Sequence, residues 1–202
     1  MLHGLILAGG QSSRMGTDKA LLSVREKAAY LLIKEQLRPY CNEIFISCRS
    51  TQEKLFPTEY LIRDAYTDIG PMAGILSAME SHPQVDWLVV ATDMLLVDSE
   101  LLDRLFASFT STDSVFFTEQ NFVEPLCGIY HHSIYDELKA AYHTCQYSLS
   151  KLLRVSPHVC LLAANTHTLK SFNEPAEFKE YLKSLDHPGD ELNHLGDLTS
   201  KP

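Results

Sequence analysis

The chain has 202 residues, of which 45% are hydrophobic and 21% are charged, a composition that fits one globular domain with a full hydrophobic core. With 17 basic and 26 acidic residues the net charge is −9, which argues against general binding to nucleic acid or to an anionic membrane. No apolar run approaches the roughly 18 residues of a membrane span and the first residues lack the basic segment of a secretion signal, so we expect a cytoplasmic protein.

The chain begins with a short apolar strand signal that leads into a glycine-rich loop. Leu5, Ile6 and Leu7 form the strand signal, and the loop extends from Leu7 to Lys19 with three glycines, two adjacent serines and two cationic side chains. Glycine lets peptide N–H groups approach an anion without a Cβ in the way. The spacing is neither that of a Walker A loop nor G-x-G-x-x-G. The loop therefore predicts a phosphate-binding site, with a glycine-rich turn that binds nothing as the alternative.

Strand and helix signals alternate along the rest of the chain. The predicted strands cover residues 43–48, 60–62, 87–91, 114–118, 126–130 and 158–163. The predicted helices cover residues 28–37, 70–79, 99–108, 133–143, 148–154 and 175–184. Because parallel strands need crossover helices, the alternation predicts an α/β fold with a mostly parallel sheet. From about Ser184 the chain is polar, which predicts a loosely docked tail.

Asp64 and Asp93 each come directly after a predicted strand or within two residues of its end. Ligands gather outside the carboxyl ends of parallel strands, so we expect the glycine loop and both aspartates to meet at one edge of the sheet. Mg²⁺ typically takes one or two protein carboxylates, and Asp93 is the candidate ligand. Its alternative role is the N-cap of the next helix, but Asp98 lies much closer to that helix. For Asp64 the alternatives are a salt bridge to Arg63 or a place in a turn.

The cysteine and histidine patterns predict no metal site. The five cysteines are odd in number and widely spaced, so neither a disulfide framework nor a C-x-x-C site is expected, and buried reduced thiols are the favoured interpretation. His131 and His132 are adjacent, and adjacent side chains on a strand or a helix point in different directions. We therefore expect solvated or core histidines there rather than a metal pair.

Two motifs connect the chain with a known family. The pattern L-A-G-G-x-S-x-R-M-G-x-D-K, read from Leu7 to Lys19, resembles the signature loop of the molybdenum cofactor guanylyltransferases, which belong to a wider group of nucleotidyltransferases. The segment Gly70-Pro71-Met72-Ala73-Gly74 is similar to the family's G-P-L-A-G. The resemblance implies a three-layer Rossmann-like nucleotidyltransferase fold, with a mostly parallel sheet and helices on both faces. The resemblance covers roughly residues 3–183, and together with the polar composition after Ser184 it predicts a nucleotidyltransferase domain at 1–184 and a polar C-terminal tail at 185–202.

The same resemblance implies transfer of GMP from GTP to molybdopterin, with release of pyrophosphate and with Mg²⁺ as the cofactor. GTP and the molybdenum cofactor would then be the small-molecule partners, with transient contact to proteins that supply or accept the cofactor. No nucleic acid or membrane partner is expected. One alternative is an enzyme of the same fold that uses CTP or a sugar phosphate. Another is an accessory protein that binds nucleotide without turnover.

The residues implied by the resemblance fall into three groups. The catalytic residues, with Asp93 also the metal ligand, are Arg14, Lys19 and Asp93. The nucleotide-binding residues are Leu7, Ala8, Gly9, Gly10, Ser12, Lys19, Asp64, Gly74 and Asp93. The acceptor-binding residues are Glu124, Pro125, Ser171 and Asn173.

For the segment from Gly70 to Gly74, the alternative to nucleotide binding is a plain helix start. That would explain Gly70 and Pro71 but not Gly74 inside the helix, where glycine costs up to about 1 kcal/mol relative to alanine.

Four positions depart from the family pattern, namely Cys48, Leu95, Glu124 and Ser171. Cys48 stands where the family often has an asparagine that contacts the base, and Leu95 replaces a proline after the metal aspartate. Glu124 replaces a histidine, and Ser171 replaces the first asparagine of N-x-N-T-P. These departures are the reason for keeping the accessory-protein alternative open.

Overall fold

A seven-stranded sheet and a separate two-stranded sheet organise the described part of the chain. The computed structural model describes residues 1–9, 23–24, 27–110, 112–119, 122–163, 169, 171–172, 177–178 and 180–182. The strands are β1 (Leu2–Leu7), β2 (Ser23–Val24), β3 (Lys27–Ala28), β4 (Ile44–Cys48), β5 (Leu61–Arg63), β6 (Asp86–Ala91), β7 (Ser114–Glu119), β8 (Phe122–Tyr130) and β9 (Val159–Ala163). The α-helices are α1 (Ala29–Leu37), α2 (Met72–Ser81), α3 (Ser99–Ser108), α4 (Tyr135–His143) and α5 (Leu149–Val155), and short 3₁₀ helices cover Ser50–Leu55 and His132–Ile134.

The large sheet has the strand order β5–β4–β1–β6–β8–β7–β9. The first four of these strands are mutually parallel. Strand β8 runs antiparallel to both of its neighbours, and β9 is parallel to β7. The predicted α/β fold with a mostly parallel sheet is confirmed. This topology brings the carboxyl ends of β1, β4, β5 and β6 to one edge, where ligands bind in such folds.

Helices cover both faces of the sheet. Successive side chains of a strand point to opposite faces, so positions 4 and 7 of β1 lie on different faces. Gly4 faces Leu37 of α1, because a Cβ added there would lie 3.2 Å from Leu37 Cδ1. Leu7 faces Gly74 of α2, because a Cβ added to Gly74 would lie 2.9 Å from Leu7 Cδ2. The expected layers of helices on either side of the sheet are therefore present.

The strongest local signals of the sequence correspond closely to the elements. Helix α3 has the predicted bounds, and its first turn is capped by the Asp98 carboxylate, which accepts a hydrogen bond from Leu101 N at 2.9 Å. The continuous apolar run before Asp93 forms β6, whose six residues are all buried. These elements are specified by sequence that is local to them.

Strand β8 begins four residues earlier than the predicted start at residue 126. The added segment contains Pro125, which has no N–H to donate to a sheet ladder. The pairing with β7 shifts register between Phe116 and Phe117, so that Phe116 lies opposite Gly128 and Phe117 lies opposite Glu124. This irregularity accommodates the proline without ending the strand.

The expectation of solvated or core histidines holds, since His131 is buried and His132 is partly exposed, whereas the expectation of buried thiols is wrong for some of the cysteines. His131 and His132 both approach the Asp86 carboxylate, because the chain turns from extended His131 into a 3₁₀ helix at His132 and so does not keep the strand alternation. Among the cysteines, Cys48 and Cys127 are buried and Cys41 is partly buried, whereas Cys145 and Cys160 are exposed. All five are free thiols.

Several predictions lie outside the described residues. They include most of the glycine-rich loop, from Gly10 to Lys19, the tail at 185–202 and much of the last predicted helix, of which residues 177–178 and 180–182 are helical. The boundary at residue 184 remains a prediction. Within the described part, none of the helices has both the length and the apolar character needed to cross a membrane.

Candidate active site

Three segments predicted to meet do so at the carboxyl edge of the parallel strands. Strand β1 lies between β4 and β6, with Leu7 paired to Ser47 on one side and to Ala91 on the other. Beyond these pairs, Ala8 N donates to Ser47 O at 2.9 Å and Thr92 N donates to Leu7 O at 3.2 Å. The described start of the glycine loop is therefore held between the ends of β4 and β6.

Asp64 lies on the β4 side of this edge. Its Oδ1 accepts a hydrogen bond from Ser47 Oγ at 2.5 Å, and its Oδ2 lies so near Gly9 that an added Cβ there would be 2.7 Å away. Burial raises the pKa of Asp64, while the Ser47 hydrogen bond and the nearby Arg49 guanidinium act in the opposite direction. The alternative of a salt bridge to Arg63 is wrong, because Arg63 Nη2 donates to Glu53 Oε2 at 2.7 Å.

Helix α2 packs through Gly74 behind the cluster formed by Gly9, Ser47 and Asp64, the Asp64 pocket. A Cβ at this position would overlap Ser47 Oγ and would lie 2.9 Å from Leu7 Cδ2. One turn later, Ser77 Oγ accepts a hydrogen bond from Ala65 N at 2.8 Å and donates one to Ala73 O at 2.7 Å. The helix glycine thus lets α2 approach the ends of β1 and β4, which places Ser47 against Asp64.

Two residues at this edge were not identified from the sequence, Arg49 and Gln52. Gln52 is buried in the 3₁₀ helix after β4, and its Nε2 donates to Ala8 O at 3.0 Å. Its Oε1 accepts a hydrogen bond from Arg49 N at 3.1 Å. Gln52 therefore fixes the main chain directly before Gly9, and Arg49 adds positive charge beside Asp64. The local signal in the sequence was the spacing of Arg49, directly after the strand, and Gln52 three residues later, which resembles a capping pattern.

Asp93 and Glu124 form the second half of the site. Val90 of β6 is paired with Cys127 of the antiparallel β8, and the turn after β6 carries Asp93, whose negative charge acts on the Glu124 carboxyl group of β8. Burial, reinforced by the negative charge of Asp93, raises the pKa of Glu124 to about 7, against the opposing hydrogen bond from Leu126 N at 2.8 Å. Two carboxyl groups therefore share a partly buried part of the carboxyl edge.

A segment near the carboxyl end of the chain, at Phe172, contacts Asp93. Phe172 N donates to Asp93 O at 2.9 Å, and the Phe172 ring is buried against Phe178 and Tyr181. This hydrogen bond places Ser171 next to the residue that is bonded to Asp93. Of the other expected acceptor-binding residues, Glu124 and Pro125 lie in β8, and Asn173 lies outside the described residues.

The donor set at this edge suits a hard divalent cation. Asp93 and Glu124 offer carboxylate oxygens, which Mg²⁺ prefers, and one or two of them suffice because water and phosphate complete its octahedron. Carboxylate oxygen is the ligand type of hard cations, whereas softer metals favour sulfur and imidazole ligands. The residues present therefore fit Mg²⁺ better than a softer metal.

Four expected site residues and two of the positions that depart from the family pattern remain to be located. Those outside the described residues are Gly10, Ser12, Arg14 and Lys19. Two departures from the family pattern, Cys48 and Leu95, are buried in the hydrophobic core. Cys48 instead contributes its main chain, since its carbonyl accepts from Asp64 N at 2.9 Å.

A mostly parallel sheet that brings a glycine turn, a partly buried aspartate and a pair of carboxyl groups to one edge is the architecture of a nucleotidyltransferase. Comparison with known proteins supports this class. A family model described as the MobA-like NTP transferase domain matches residues 4–160. The chain belongs to this family.

Relatives of known name agree with that assignment. A molybdenum cofactor guanylyltransferase from Pseudomonas entomophila is 30% identical over 178 residues, which cover 85% of this chain and 93% of the relative. A molybdenum cofactor biosynthesis bifunctional protein from Synechocystis is 32% identical over 183 residues. The match covers 88% of this chain but only 52% of the bifunctional protein.

Solved structures show the same fold. Molybdopterin-guanine dinucleotide biosynthesis protein A from Archaeoglobus fulgidus superposes with a TM-score of 0.75 at 22% identity, covering 91% of this chain and 98% of that one. Rv0371c from Mycobacterium tuberculosis, whose structure was determined in complex with manganese, has a TM-score of 0.61 at 15% identity and covers 91% of this chain and 98% of its own. These likenesses concern the fold.

Proposed function

We propose that this chain transfers GMP from GTP to molybdopterin and releases pyrophosphate in a reaction that needs Mg²⁺. The guanylyltransferase names of relatives that match most of the chain support this choice. The structural observation that carries the proposal is the hydrogen bond from Thr92 N to Leu7 O. Because Thr92 is bonded to the last residue of β1, the next residue, Asp93, is held near the start of the glycine loop. A single triphosphate that contacts both the loop and a metal ion on Asp93 requires this proximity.

The glycine loop and the Asp64 pocket would bind the nucleotide. The glycine loop would offer main-chain amides to the phosphates, and Arg14 and Lys19 would add the positive charge that a triphosphate needs near a chain with a net charge of −9. One unit-charge pair at about 4 Å contributes on the order of 4 kcal/mol at an effective dielectric near 20, several times the roughly 1 kcal/mol of a neutral hydrogen bond. The Asp64 pocket, closed by Gly74, would seat the nucleoside part.

Asp93 would hold Mg²⁺, with Glu124 beside it. Bound there, the ion would supply positive charge to the α-phosphate oxygens, on which negative charge accumulates in phosphoryl transfer. The acceptor phosphate is already an anion, so the reaction needs no general base from the protein. Glu124, Pro125, Ser171 and Asn173 would position the acceptor, which makes catalysis a matter of orientation and electrostatics.

The direct test is pyrophosphate release from GTP and molybdopterin. We expect Asp93→Asn to lower turnover by on the order of 100-fold or more while the far-ultraviolet circular dichroism stays native. Asp136→Asn, which alters an exposed aspartate in the first turn of α4, is the control and should retain wild-type turnover. Lys19→Ala should raise the dissociation constant for GTP at least about tenfold. Wild-type activity in the Asp93 variant would contradict the metal role.

The alternatives make different predictions for nucleotide binding. Thermal-shift measurements with GTP, CTP, ATP and UTP in the presence of Mg²⁺ should give the largest shift with GTP. A preference for CTP or UTP would replace the guanylyl assignment with another nucleotidyl transfer. Binding of GTP without pyrophosphate release would support a non-catalytic accessory protein, the alternative motivated by the changes at Cys48, Leu95, Glu124 and Ser171.

The proposed activity would operate in the cytoplasm. The five free cysteines are consistent with a reducing compartment. Proteins that supply molybdopterin or receive the product would contact the chain transiently. The Synechocystis relative is a bifunctional protein, and this chain spans about half of it. Contact with a separate protein that carries the other activity is therefore part of the proposal.

A further inference from the structure

We propose a second metal site, for a divalent transition metal of the zinc class, formed by Asp86, His131 and His132. Asp86 begins β6, and the two histidines follow the end of the antiparallel β8. His132 Nδ1 lies 2.9 Å and His131 Nε2 lies 3.7 Å from Asp86 Oδ1. Within the described part of the chain, these three side chains converge so that one ligand atom from each lies within 4.8 Å of the others.

The site is at the opposite edge of the sheet from the proposed active site. Asp86 and Asp93 are separated by the length of β6, which at about 3.3 Å per residue amounts to roughly 20 Å. A metal bound to Asp86 would therefore take no part in nucleotidyl transfer. Its effect would be to connect the amino end of β6 with the carboxyl end of β8.

The separations of the donor atoms fit a small divalent metal. Zinc–nitrogen and zinc–oxygen bonds of about 2.0–2.2 Å in a tetrahedron place neighbouring ligand atoms about 3.4 Å apart. The two distances from Asp86 Oδ1, 2.9 and 3.7 Å, lie on either side of that value. Two imidazoles with one carboxylate suit zinc, cobalt or nickel and suit Mg²⁺ poorly.

Neighbouring groups already orient the proposed ligands. His131 Nδ1 is 2.7 Å from Ser133 Oγ and accepts a hydrogen bond from Ser133 N at 3.3 Å, contacts that turn Nε2 towards Asp86. The side chains of Asp86 and His131 are only 10% and 8% exposed, whereas that of His132 is 42% exposed. Burial therefore holds two ligands in place, and the third leaves a route for the ion and a coordination position for water.

A purely structural role for the same contacts is the competing explanation. Asp86 Oδ1 accepts a hydrogen bond from His132 N at 2.9 Å, and Met1 N lies 3.8 Å from Asp86 Oδ2. These contacts would fasten the strand ends without any metal. The two explanations differ in one measurable property, saturable binding of a transition metal that depends on His132.

The experiment uses the full untagged chain, stripped of metal with a chelator that is then removed. Titration with Co²⁺, followed by its visible absorption, should saturate at one ion per chain at this site, and Zn²⁺ should displace the Co²⁺ signal. Zn²⁺ alone should raise the thermal midpoint. His132→Gln, at the most exposed ligand, should weaken Co²⁺ and Zn²⁺ binding at least about tenfold and abolish the Zn²⁺-dependent shift.

Two controls separate this site from others on the chain. His143→Gln, at the end of α4, and Asp93→Asn, at the proposed active site, should both retain wild-type Zn²⁺ affinity. Wild-type affinity in His132→Gln, or no saturable Co²⁺ binding to the wild-type chain, would overturn the proposal. Asp86→Asn should also lose binding, but His132→Gln decides the outcome if that variant does not fold. Loss of GTP turnover in Asp93→Asn with intact Zn²⁺ binding keeps the two sites distinguishable.

Discussion

The carboxyl group of Glu124 makes the stability of the protein depend on pH in an unusual direction. Burial, with the nearby negative charge of Asp93, raises its pKa to about 7 from an ordinary value of 4.5. The native state therefore binds the proton more tightly than the unfolded chain does. The stabilisation this provides is fully present below pH 4.5 and is lost as the pH rises through 7. We predict that Glu124→Gln, which is neutral at every pH, removes this loss.

The magnitude follows from the difference between the two pKa values. At 1.36 kcal/mol per pH unit, a pKa of about 7 against 4.5 corresponds to about 3 kcal/mol. Above pH 8, Glu124→Gln should therefore be more stable than the wild type by up to about 3 kcal/mol, and the difference should shrink towards zero near pH 4.5. A glutamine Oε1 can still accept the hydrogen bond from Leu126 N, so the substitution changes charge more than contacts.

The assay is urea unfolding at pH 5 and pH 8.5 in the presence of a chelator, so that no cation neutralises the Asp93–Glu124 pair. Glu119→Gln, the same substitution at an exposed position of β7, is the control and should leave the difference between the two pH values unchanged. Asp93→Asn should reduce the effect of Glu124→Gln, because it removes one cause of the raised pKa. Equal stability of Glu124→Gln and wild type at pH 8.5 would refute the reasoning.

Three further substitutions test the packing and the capping described above. Gly74→Ala should lower the free energy of unfolding by about 1–2 kcal/mol, because overlap with Ser47 costs about 1–3 kcal/mol and exceeds the helix propensity gained; chemical denaturation should show partial recovery when Ser47→Ala is added. Asp98→Ala should cost about 1 kcal/mol through loss of the α3 cap, whereas Ser99→Ala should cost less in the same assay. Lys139→Met should lower the thermal midpoint, since it removes an ammonium group that is paired with an acidic residue of α2 and lies over three tyrosine rings; an unchanged midpoint would contradict this.

Some parts of the fold were predictable because their causes are local. The bounds of α3 follow from the Asp98 cap and the helical spacing of its leucines. The apolar run of β6 predicts a strand covered on both faces, and Asp93 then falls at its carboxyl end. Parallel topology follows from the alternation of elements, so the meeting of Gly9, Asp64 and Asp93 at one edge could be inferred before any coordinates.

Other parts depend on which strands become neighbours, and no local pattern encodes that. Glu124 lies beside Asp93 because β8 runs antiparallel to β6 and continues through Pro125 with an irregular register. The contact of Gln52 with Ala8 depends on a 3₁₀ helix that folds back over the end of β1.

The sequence by itself therefore determined the order of elements, the sheet edge that carries the glycine loop, and the family. Only the tertiary structure decided which side chains share a charge environment. His131 and His132 illustrate the reason, because their approach to Asp86 depends on a strand pairing 46 residues apart in sequence and on the backbone turn between the two histidines. Electrostatic coupling depends on distance in space, and that distance is set by packing across the sheet rather than by spacing along the chain.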